Sequence, residues 1–267
     1  MKGWAVVAAI VVVVVASGVG LWVTWDTTRT SATQTDQVPQ DLVPTTTFPL
    51  GGGATTTTAL QECALAEGAE AGGVVGDPRV NWDRVVIDPA HRLAPDFAPD
   101  DLVSMSQAGF ASEDQVRSIV ITDLSALRAA AEANGTPLVV VSGYRSYSYQ
   151  EDLFANRVEQ VGEAEAARRT APPGHSEHQL GTALDVLEPG ARDLTAAFGA
   201  TPQGQWLAAN AHTYGFVISY PDGATDRTCY EYEPWHLRYV GPSTAAAIRN
   251  AGLTPREWML ANPAETP

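Results

Sequence analysis

The first apolar run of the chain lies at its amino end, where residues 3–25 carry no charged side chain. Its length is close to the roughly 20 residues that a helix needs to cross a bilayer. Lys2 precedes the run and Asp26 follows it, so the positive-inside rule places the remainder of the chain outside the cell. We therefore predict that residues 1–26 form one transmembrane helix that anchors the protein in the cell membrane. A cleaved signal peptide, which would leave a secreted protein, is the competing interpretation.

The pattern then changes to small and polar residues. Residues 27–61 are rich in Thr, Pro, Gly, Gln and Ser. Such a stretch cannot bury enough apolar surface to offset the entropy lost on ordering, so we predict a disordered stalk. From residue 62 the composition becomes that of a globular protein, and residues 62–262 are predicted to form one folded domain.

Within this domain, helical and strand periodicities alternate irregularly. Apolar side chains recur at near-helical spacing in residues 112–134, whereas residues 138–141 form a β-branched run typical of a buried strand. Further helices are predicted at residues 146–161 and 203–214 and from Thr254 onward, and further strands at 182–187, 215–220 and 232–239. This order indicates an α+β domain in which helices flank a mostly antiparallel sheet.

Composition and charge narrow the functional classes. The chain has 267 residues, of which 45% are hydrophobic, and a formal net charge of −15. Because this charge repels phosphate backbones, we expect no nucleic-acid partner. The two cysteines, Cys63 and Cys229, form no CxxC pair. Export to an oxidising compartment predicts a disulfide between them, with two free buried thiols as the alternative.

Unusual polar residues concentrate in three segments at predicted strand ends. These segments are residues 142–146 with Gln150 one helical turn beyond, residues 174–185 and residues 231–239. A catalytic zinc ion takes three ligands from His, Asp or Glu and keeps one position open for water. His178, Asp185 and His236 supply such a set. A His-x6-Asp spacing also arises by chance, and hydrogen-bonded structural histidines, the interpretation given to His91 and His212, remain the alternative.

Two further charged residues suit a hydrolytic site. Glu233 lies three residues before His236 and is a candidate base for a water molecule, with Glu231 as its rival. Positions three apart on an ideal strand point to opposite faces, but Pro234 interrupts the strand and can direct both side chains into one cleft. Arg145 offers a permanent positive charge for a carboxylate or a developing oxyanion.

Other residues of these segments have simpler interpretations. Trp235 is expected in the core, Arg238 is expected to pair with an acidic residue, and His175 is interpreted as a loop residue. Three tyrosines could either stack on a ligand or pack inside the domain: Tyr144, Tyr147 and Tyr149.

Four blocks of the sequence together resemble the VanY-like D-alanyl-D-alanine carboxypeptidases, which share a zinc fold with the hedgehog signalling domain. The blocks are residues 88–103, SGYRSYSYQ at 142–150, PGHSEHQLGTALDV at 173–186 and EPWHLRYVG at 233–241. The likeness extends over about 160 residues, from about residue 80 to residue 241. It implies an antiparallel sheet of the hedgehog/DD-peptidase type with flanking helices.

The resemblance also implies roles for single residues. It implies that His178, Asp185 and His236 bind one Zn²⁺ per chain. Glu233 would then be the general base, and Arg145 would stabilise the tetrahedral intermediate or hold the substrate.

The implied substrate is the D-alanine end of peptidoglycan stem peptides. In this family a serine before the first zinc histidine and a glutamine after the arginine block help to bind the terminal carboxylate, which places Ser176 and Gln150 in that role. The protein is expected to act as a monomer on the cell-wall side of the membrane.

Three alternatives stay open at the level of sequence. An L,D-carboxypeptidase and a peptidoglycan endopeptidase use nearly the same motifs. A non-catalytic zinc module used for binding is the third, although such a module has no need of Glu233 and Arg145.

Overall fold

The computed structural model describes residue 63, residues 72–74 and residues 76–264. The predicted anchor, residues 1–26, and the predicted stalk, residues 27–61, lie outside these residues. In the part described, no helix combines the length and the apolar character needed to cross a bilayer.

Short strands and helices alternate along the described part of the chain. The strands are β1 (Gly72–Gly73), β2 (His91–Arg92), β3 (Leu102–Ser104), β4 (Gln115–Arg117), β5 (Val139–Ser142), β6 (Ala183–Leu187), β7 (Phe216–Ile218) and β8 (His236–Tyr239). The α-helices are α1 (Ile121–Ala133), α2 (Tyr147–Val161), α3 (Glu163–Arg169), α4 (Pro202–Asn210), α5 (Thr225–Thr228), α6 (Pro242–Ala251) and α7 (Pro255–Ala261).

A four-stranded antiparallel sheet in the order β5-β6-β8-β7 lies at the centre of the domain. Two smaller sheets accompany it, a parallel pair of β1 and β2 and an antiparallel pair of β3 and β4. The predicted α+β class and the mostly antiparallel sheet are thus confirmed.

The two faces of the central sheet have different chemistry, because side chains alternate along a strand. On β8, Leu237 and Tyr239 belong to the main hydrophobic core together with buried leucines of α1 and α4. The Tyr239 hydroxyl donates to Asp123 Oδ2 of α1 over 2.6 Å, which fixes the helix to this face. His236 and Arg238, the alternate residues of β8, therefore point to the opposite face, where the polar residues of interest gather. Each leucine fully buried in the core stabilises the domain by about 1.5 to 3 kcal/mol.

The helices predicted at residues 146–161 and from Thr254 are confirmed, and each begins with a side-chain cap. Ser146 caps α2, since its hydroxyl accepts a hydrogen bond from the Tyr149 N–H. Thr254 and Glu257 form a reciprocal capping box at the start of α7. The helix predicted at residues 203–214 is α-helical only to Asn210 and continues as a 3-10 turn.

The start of the helix predicted at residues 112–134 is wrong. Helix α1 begins at Ile121, and the residues before it form β4 and a 3-10 turn. The chain is held extended there by a distant partner: Arg117 Nε donates to Asp101 Oδ1 over 2.8 Å, and the Ser118 N–H donates to the Asp101 carbonyl. This pairing with β3 outweighs the helical spacing of the apolar side chains.

The predicted disulfide is present. Cys63 and Cys229 are bonded, with their Cα atoms 4.9 Å apart, and the bond closes a loop of 166 residues. In the chain-entropy model a loop of this length stabilises the folded state by up to about 5 kcal/mol. The bond fixes the start of the segment that leads from α5 to β8, and the alternative of two free thiols is wrong.

Candidate active site

The seven residues predicted for the site border one cleft of about 580 Å³. They are Arg145, Gln150, Ser176, His178, Asp185, Glu233 and His236. They come from three separate parts of the chain, which the central sheet brings together.

The three predicted metal ligands lie side by side on the polar face of the sheet. Asp185 on β6 is directly opposite His236 on β8 in the strand register. His178 lies in the 3-10 turn Glu177–Leu180 that leads into β6. Gly181 ends this turn with a φ of +77°, a conformation that favours glycine and returns the chain to the sheet. The candidate ligand atoms of the three residues all lie within 4.8 Å of one another, and each residue is at most 3% exposed.

Each histidine is anchored through one nitrogen and presents the other to Asp185. His178 Nδ1 donates to the Gly143 carbonyl over 2.6 Å, while its buried Nε2 makes no hydrogen bond among the described residues and lies 3.3 Å from Asp185 Oδ2. His236 Nε2 is bonded to Glu177, and its Nδ1 lies 3.1 Å from Asp185 Oδ1. Two imidazole nitrogens converging on a carboxylate are the donor set of a catalytic zinc centre, so these residues fit Zn²⁺.

The protonation of the three residues agrees with this fit. Burial and, after it, the positive charge of Arg145 lower the pKa of His178 to about 4, which keeps its imidazole neutral. Burial alone would raise the pKa of Asp185, but the two histidines lower it and keep the carboxylate ionised. Burial alone would lower the pKa of His236, but its hydrogen bonds to Asp185 and Glu177 raise it. A cation at His236 Nδ1 therefore competes with a proton.

Glu233 lies in a turn and not in a strand. The strand predicted at residues 232–239 begins only at His236, so that prediction is wrong in its first part. The Glu233 carbonyl accepts from the His236 N–H over 3.1 Å, which closes a turn that has Pro234 at its second position. The Glu233 N–H donates to the Tyr220 carbonyl over 3.0 Å and ties this turn to the end of β7. The turn, rather than a kinked strand, is what brings Glu233 to the same cleft as His236.

The surroundings of Glu233 suit a general base. Burial, which has the largest effect, and the negative charges of Asp185 and Glu177 raise the pKa of Glu233 to about 8, against the opposing charges of His236 and Arg145. A carboxylate whose pKa lies near neutrality both accepts and returns a proton readily.

Arg145 follows β5 and is held by its backbone, whose N–H donates to the His178 carbonyl. Its side chain forms no ion pair with any described residue, and its buried Nε has no hydrogen-bond partner there. An unpaired guanidinium beside the three candidate ligands is available for a negative charge on a ligand.

Ser176 and Gln150 lie in the same cleft, at most 4% exposed. The Ser176 hydroxyl accepts from the His178 N–H, which leaves its own O–H free to donate. Gln150 Nε2 donates to the Ala171 carbonyl over 2.8 Å, whereas its buried Oε1 has no partner within the described residues. Gln150 therefore offers a bound molecule one acceptor and one remaining N–H.

Sequence reasoning missed Glu177, a buried carboxylate beside the first histidine. It binds Arg238, whose predicted pairing with an acidic residue is thereby confirmed. Burial alone would raise the pKa of Glu177, but Arg238 and His236 lower it to about 2. The available signal was its position between two candidate site residues, Ser176 and His178.

The other candidates have separate roles. Glu231, the rival for the base role, has both carboxylate oxygens paired with Arg168 and Arg169 at the rim of the cleft. His91 and His175 both bind Asp88. His212 lies in the 3-10 turn Ala211–Tyr214 and is not among the residues that line the cleft.

The tyrosines that border the cleft are not those that the sequence nominated. Tyr144, Tyr147 and Tyr149 are not among its lining residues, and Tyr149 is 58% exposed. Tyr220, Tyr230 and Tyr232 line it instead, and the Tyr220 ring stacks on His236 with centroids 5.0 Å apart. The strand end at residue 220 was the only signal for this contact.

Known carboxypeptidases are similar to this chain in sequence. Residues 113–242 match the family model "VanY: D-alanyl-D-alanine carboxypeptidase". The putative carboxypeptidase YodJ of Bacillus subtilis is 40% identical over 179 residues, which cover 65% of this chain. The chain spans 65% of that relative's own length, slightly less than two thirds.

Two solved structures share the fold. The LD-carboxypeptidase LdcB is 36% identical with a TM-score of 0.62, and the likeness covers 74% of this chain and 92% of LdcB. The vancomycin-resistance D,D-pentapeptidase VanY from a VanB-type cassette, solved with Zn(II), is 27% identical with a TM-score of 0.58, covering 67% of this chain and 99% of VanY. The family-model match and the relatives of the same fold together show that the chain belongs to the VanY family.

Proposed function

We propose that this protein is a zinc-dependent carboxypeptidase that removes the terminal D-alanine from peptidoglycan stem peptides. The observation that carries the proposal is the convergence of His178, Asp185 and His236 with Glu233 and Arg145 in one cleft. The family named for D-alanyl-D-alanine carboxypeptidase, and the zinc found in the solved VanY, support both the metal and the substrate class.

His178, Asp185 and His236 would hold the zinc ion, which would supply Lewis acidity and lower the pKa of water to about 7. Glu233 accepts the proton of the attacking water on its carboxylate. It then donates that proton to the amine nitrogen of the departing D-alanine, so one residue acts as base and then as acid. The pKa of Glu233 is raised above that of an exposed glutamate, which makes its carboxylate the stronger base.

Arg145 neutralises the negative charge that develops on the carbonyl oxygen during attack. Its side chain has no ion-pair partner among the described residues, so it meets this charge without first breaking a salt bridge. A well-placed donor of this kind lowers the barrier by about 3 to 4 kcal/mol.

Ser176 and Gln150 supply neutral hydrogen-bond donors for the free carboxylate of the substrate. The free O–H of Ser176 and the second N–H of Gln150 are the donors available. The unpartnered Oε1 of Gln150 accepts a substrate N–H in the same arrangement.

An L,D-carboxypeptidase is the second candidate, because the structure of LdcB shares 36% sequence identity with this chain. Defined stem peptides separate the two, since a D,D-enzyme shortens pentapeptides and an L,D-enzyme shortens tetrapeptides. A non-catalytic zinc module is disfavoured, since Glu233 and Arg145 both face the cleft.

The proposed cellular setting follows from the amino-terminal sequence. A single apolar helix over residues 1–26 would hold the domain at the outer face of the membrane, and residues 27–61 would give it reach into the wall. We propose that the protein acts there as a monomer.

The nature of the substrate end-group tests the carboxypeptidase assignment. Pentapeptide stems that end in free D-Ala-D-Ala should lose one D-alanine, and the same stems amidated at that end should react at least about tenfold more slowly. Replacing the carboxylate by an amide leaves buried donors unpaired at a cost of about 1 to 3 kcal/mol per group. Mass spectrometry of timed digests measures both rates, and equal cleavage of free and amidated stems would indicate an endopeptidase.

A further inference from the structure

A buried network of charged and polar side chains lies directly behind the proposed metal site. Its centre is the carboxylate of Glu177, which is 6% exposed. Oε2 accepts hydrogen bonds from Ser219 Oγ over 2.6 Å and from His236 Nε2 over 2.9 Å. Oε1 accepts from Arg238 Nη1 over 2.7 Å. Both oxygens are thus engaged by three residues from other parts of the chain.

Backbone carbonyl groups hold Arg238, the cationic residue of this network, in place. Arg238 is fully buried, and its Nη2 donates to the carbonyls of Trp82 and Val85 over 3.0 and 2.7 Å. Arg238 and His236 are two residues apart on β8 and therefore share one face of the sheet. The carboxylate of Glu177 spans this pair, so its position is set by the same strand that carries the ligand.

The contact with His236 determines which ring nitrogen faces Asp185. An ionised carboxylate only accepts hydrogen bonds, so Nε2 must carry a hydrogen toward Glu177, and in the neutral ring that can bind a metal the lone pair is then on Nδ1. The opposite neutral tautomer, with its hydrogen on Nδ1, would point the Nε2 lone pair at the carboxylate of Glu177. Stacking of the Tyr220 ring on His236 restricts rotation further.

We propose that Glu177 is the positioning residue of the zinc ligand His236, fixing the ring so that Nδ1 binds the metal. This inference rests on the proposed zinc site but not on the proposed substrate. Partners of this kind orient ligand histidines and raise their basicity, and their loss typically weakens metal affinity by about 10- to 100-fold.

A purely structural role for the pair of Glu177 and Arg238 is the competing interpretation, and the chain contains a matched control for it. Asp88 is also buried, and it also binds an arginine and a histidine, through Arg256 Nε at 2.7 Å and His91 Nδ1 at 2.8 Å. Neither Asp88 nor its histidine partner contacts a proposed zinc ligand through these bonds. Asp88→Asn therefore removes a comparable buried ion pair away from the metal.

The test is the zinc dissociation constant of the folded protein, measured by competition with a chromophoric chelator. We expect zinc binding about 100-fold weaker in Glu177→Ala and about tenfold weaker in Glu177→Gln, because the glutamine oxygen still accepts from Nε2. Asp88→Asn should lose stability to thermal unfolding but keep the zinc affinity of the wild type. Circular dichroism shows whether each variant is folded.

Two results would overturn the proposal. One is zinc affinity within about twofold of wild type in folded Glu177→Ala. The other is an equal loss of zinc affinity in Asp88→Asn. Should Glu177→Ala fail to fold, the zinc affinity of folded Glu177→Gln decides. Wild-type zinc affinity in that variant would count against the proposal. Because the measurement uses zinc alone, it stays valid whether or not the protein hydrolyses stem peptides.

Discussion

Glu233→Gln is expected to lower kcat/KM for stem-peptide hydrolysis by a factor of about 10² to 10⁴ while the protein still binds one zinc ion. The amide side chain keeps the size of the carboxylate but cannot take a proton from water. It does not remove a ligand, because His178, Asp185 and His236 form the metal site without it. Steady-state kinetics together with metal analysis of the same preparation checks both parts.

Glu231→Gln is the matched control for this variant. Glu231 also borders the cleft, but its carboxylate is paired with Arg168 and Arg169. We expect this variant to retain most of the wild-type activity. If Glu231→Gln were the inactive variant and Glu233→Gln remained active, the base role would have to be reassigned.

His236→Ala is expected to bind far less than one zinc per chain and to lose hydrolytic activity with it. The substitution removes one of the three ligands and also leaves Glu177 without one of its donors. Metal analysis after dialysis measures the loss, with His212→Ala as control because His212 lies in the 3-10 turn Ala211–Tyr214 and not in the cleft. Full zinc content in folded His236→Ala would remove this residue from the metal site.

Helices and strands that depend on neighbouring residues in the chain could be predicted from the sequence. The β-branched run before Ser142 forms β5, and the cap residues Ser146 and Thr254 begin helices as predicted. Strand β4 could not be predicted in this way. It has three residues and is held by β3 and by Asp101, which lies 16 residues before Arg117. A distant partner of this kind leaves no periodicity in the strand itself.

The candidate site, too, could be predicted from the sequence only in part. Residue types, motif spacing and the family resemblance predicted which side chains gather around the cleft, but not how they are oriented. The free nitrogen of His178 is defined by the Gly143 carbonyl, 35 residues away in sequence. Glu177 is connected to its partners Ser219 and His236 across 42 and 59 residues. Only the folded sheet brings these groups together, so a single sequence identifies Glu177 as polar but not as buried.

The proposed function is tested most directly by metal removal and reconstitution. The domain is stripped of metal with a chelator, returned to chelator-free buffer and titrated with Zn²⁺, while D-alanine release from a stem peptide ending in D-Ala-D-Ala is followed. We predict no release from the metal-free protein and activity that rises with added zinc to a plateau at one equivalent per chain. One D-alanine should be released per peptide. Undiminished release from the metal-free protein, or no release from folded protein that has bound one zinc, would contradict the assignment.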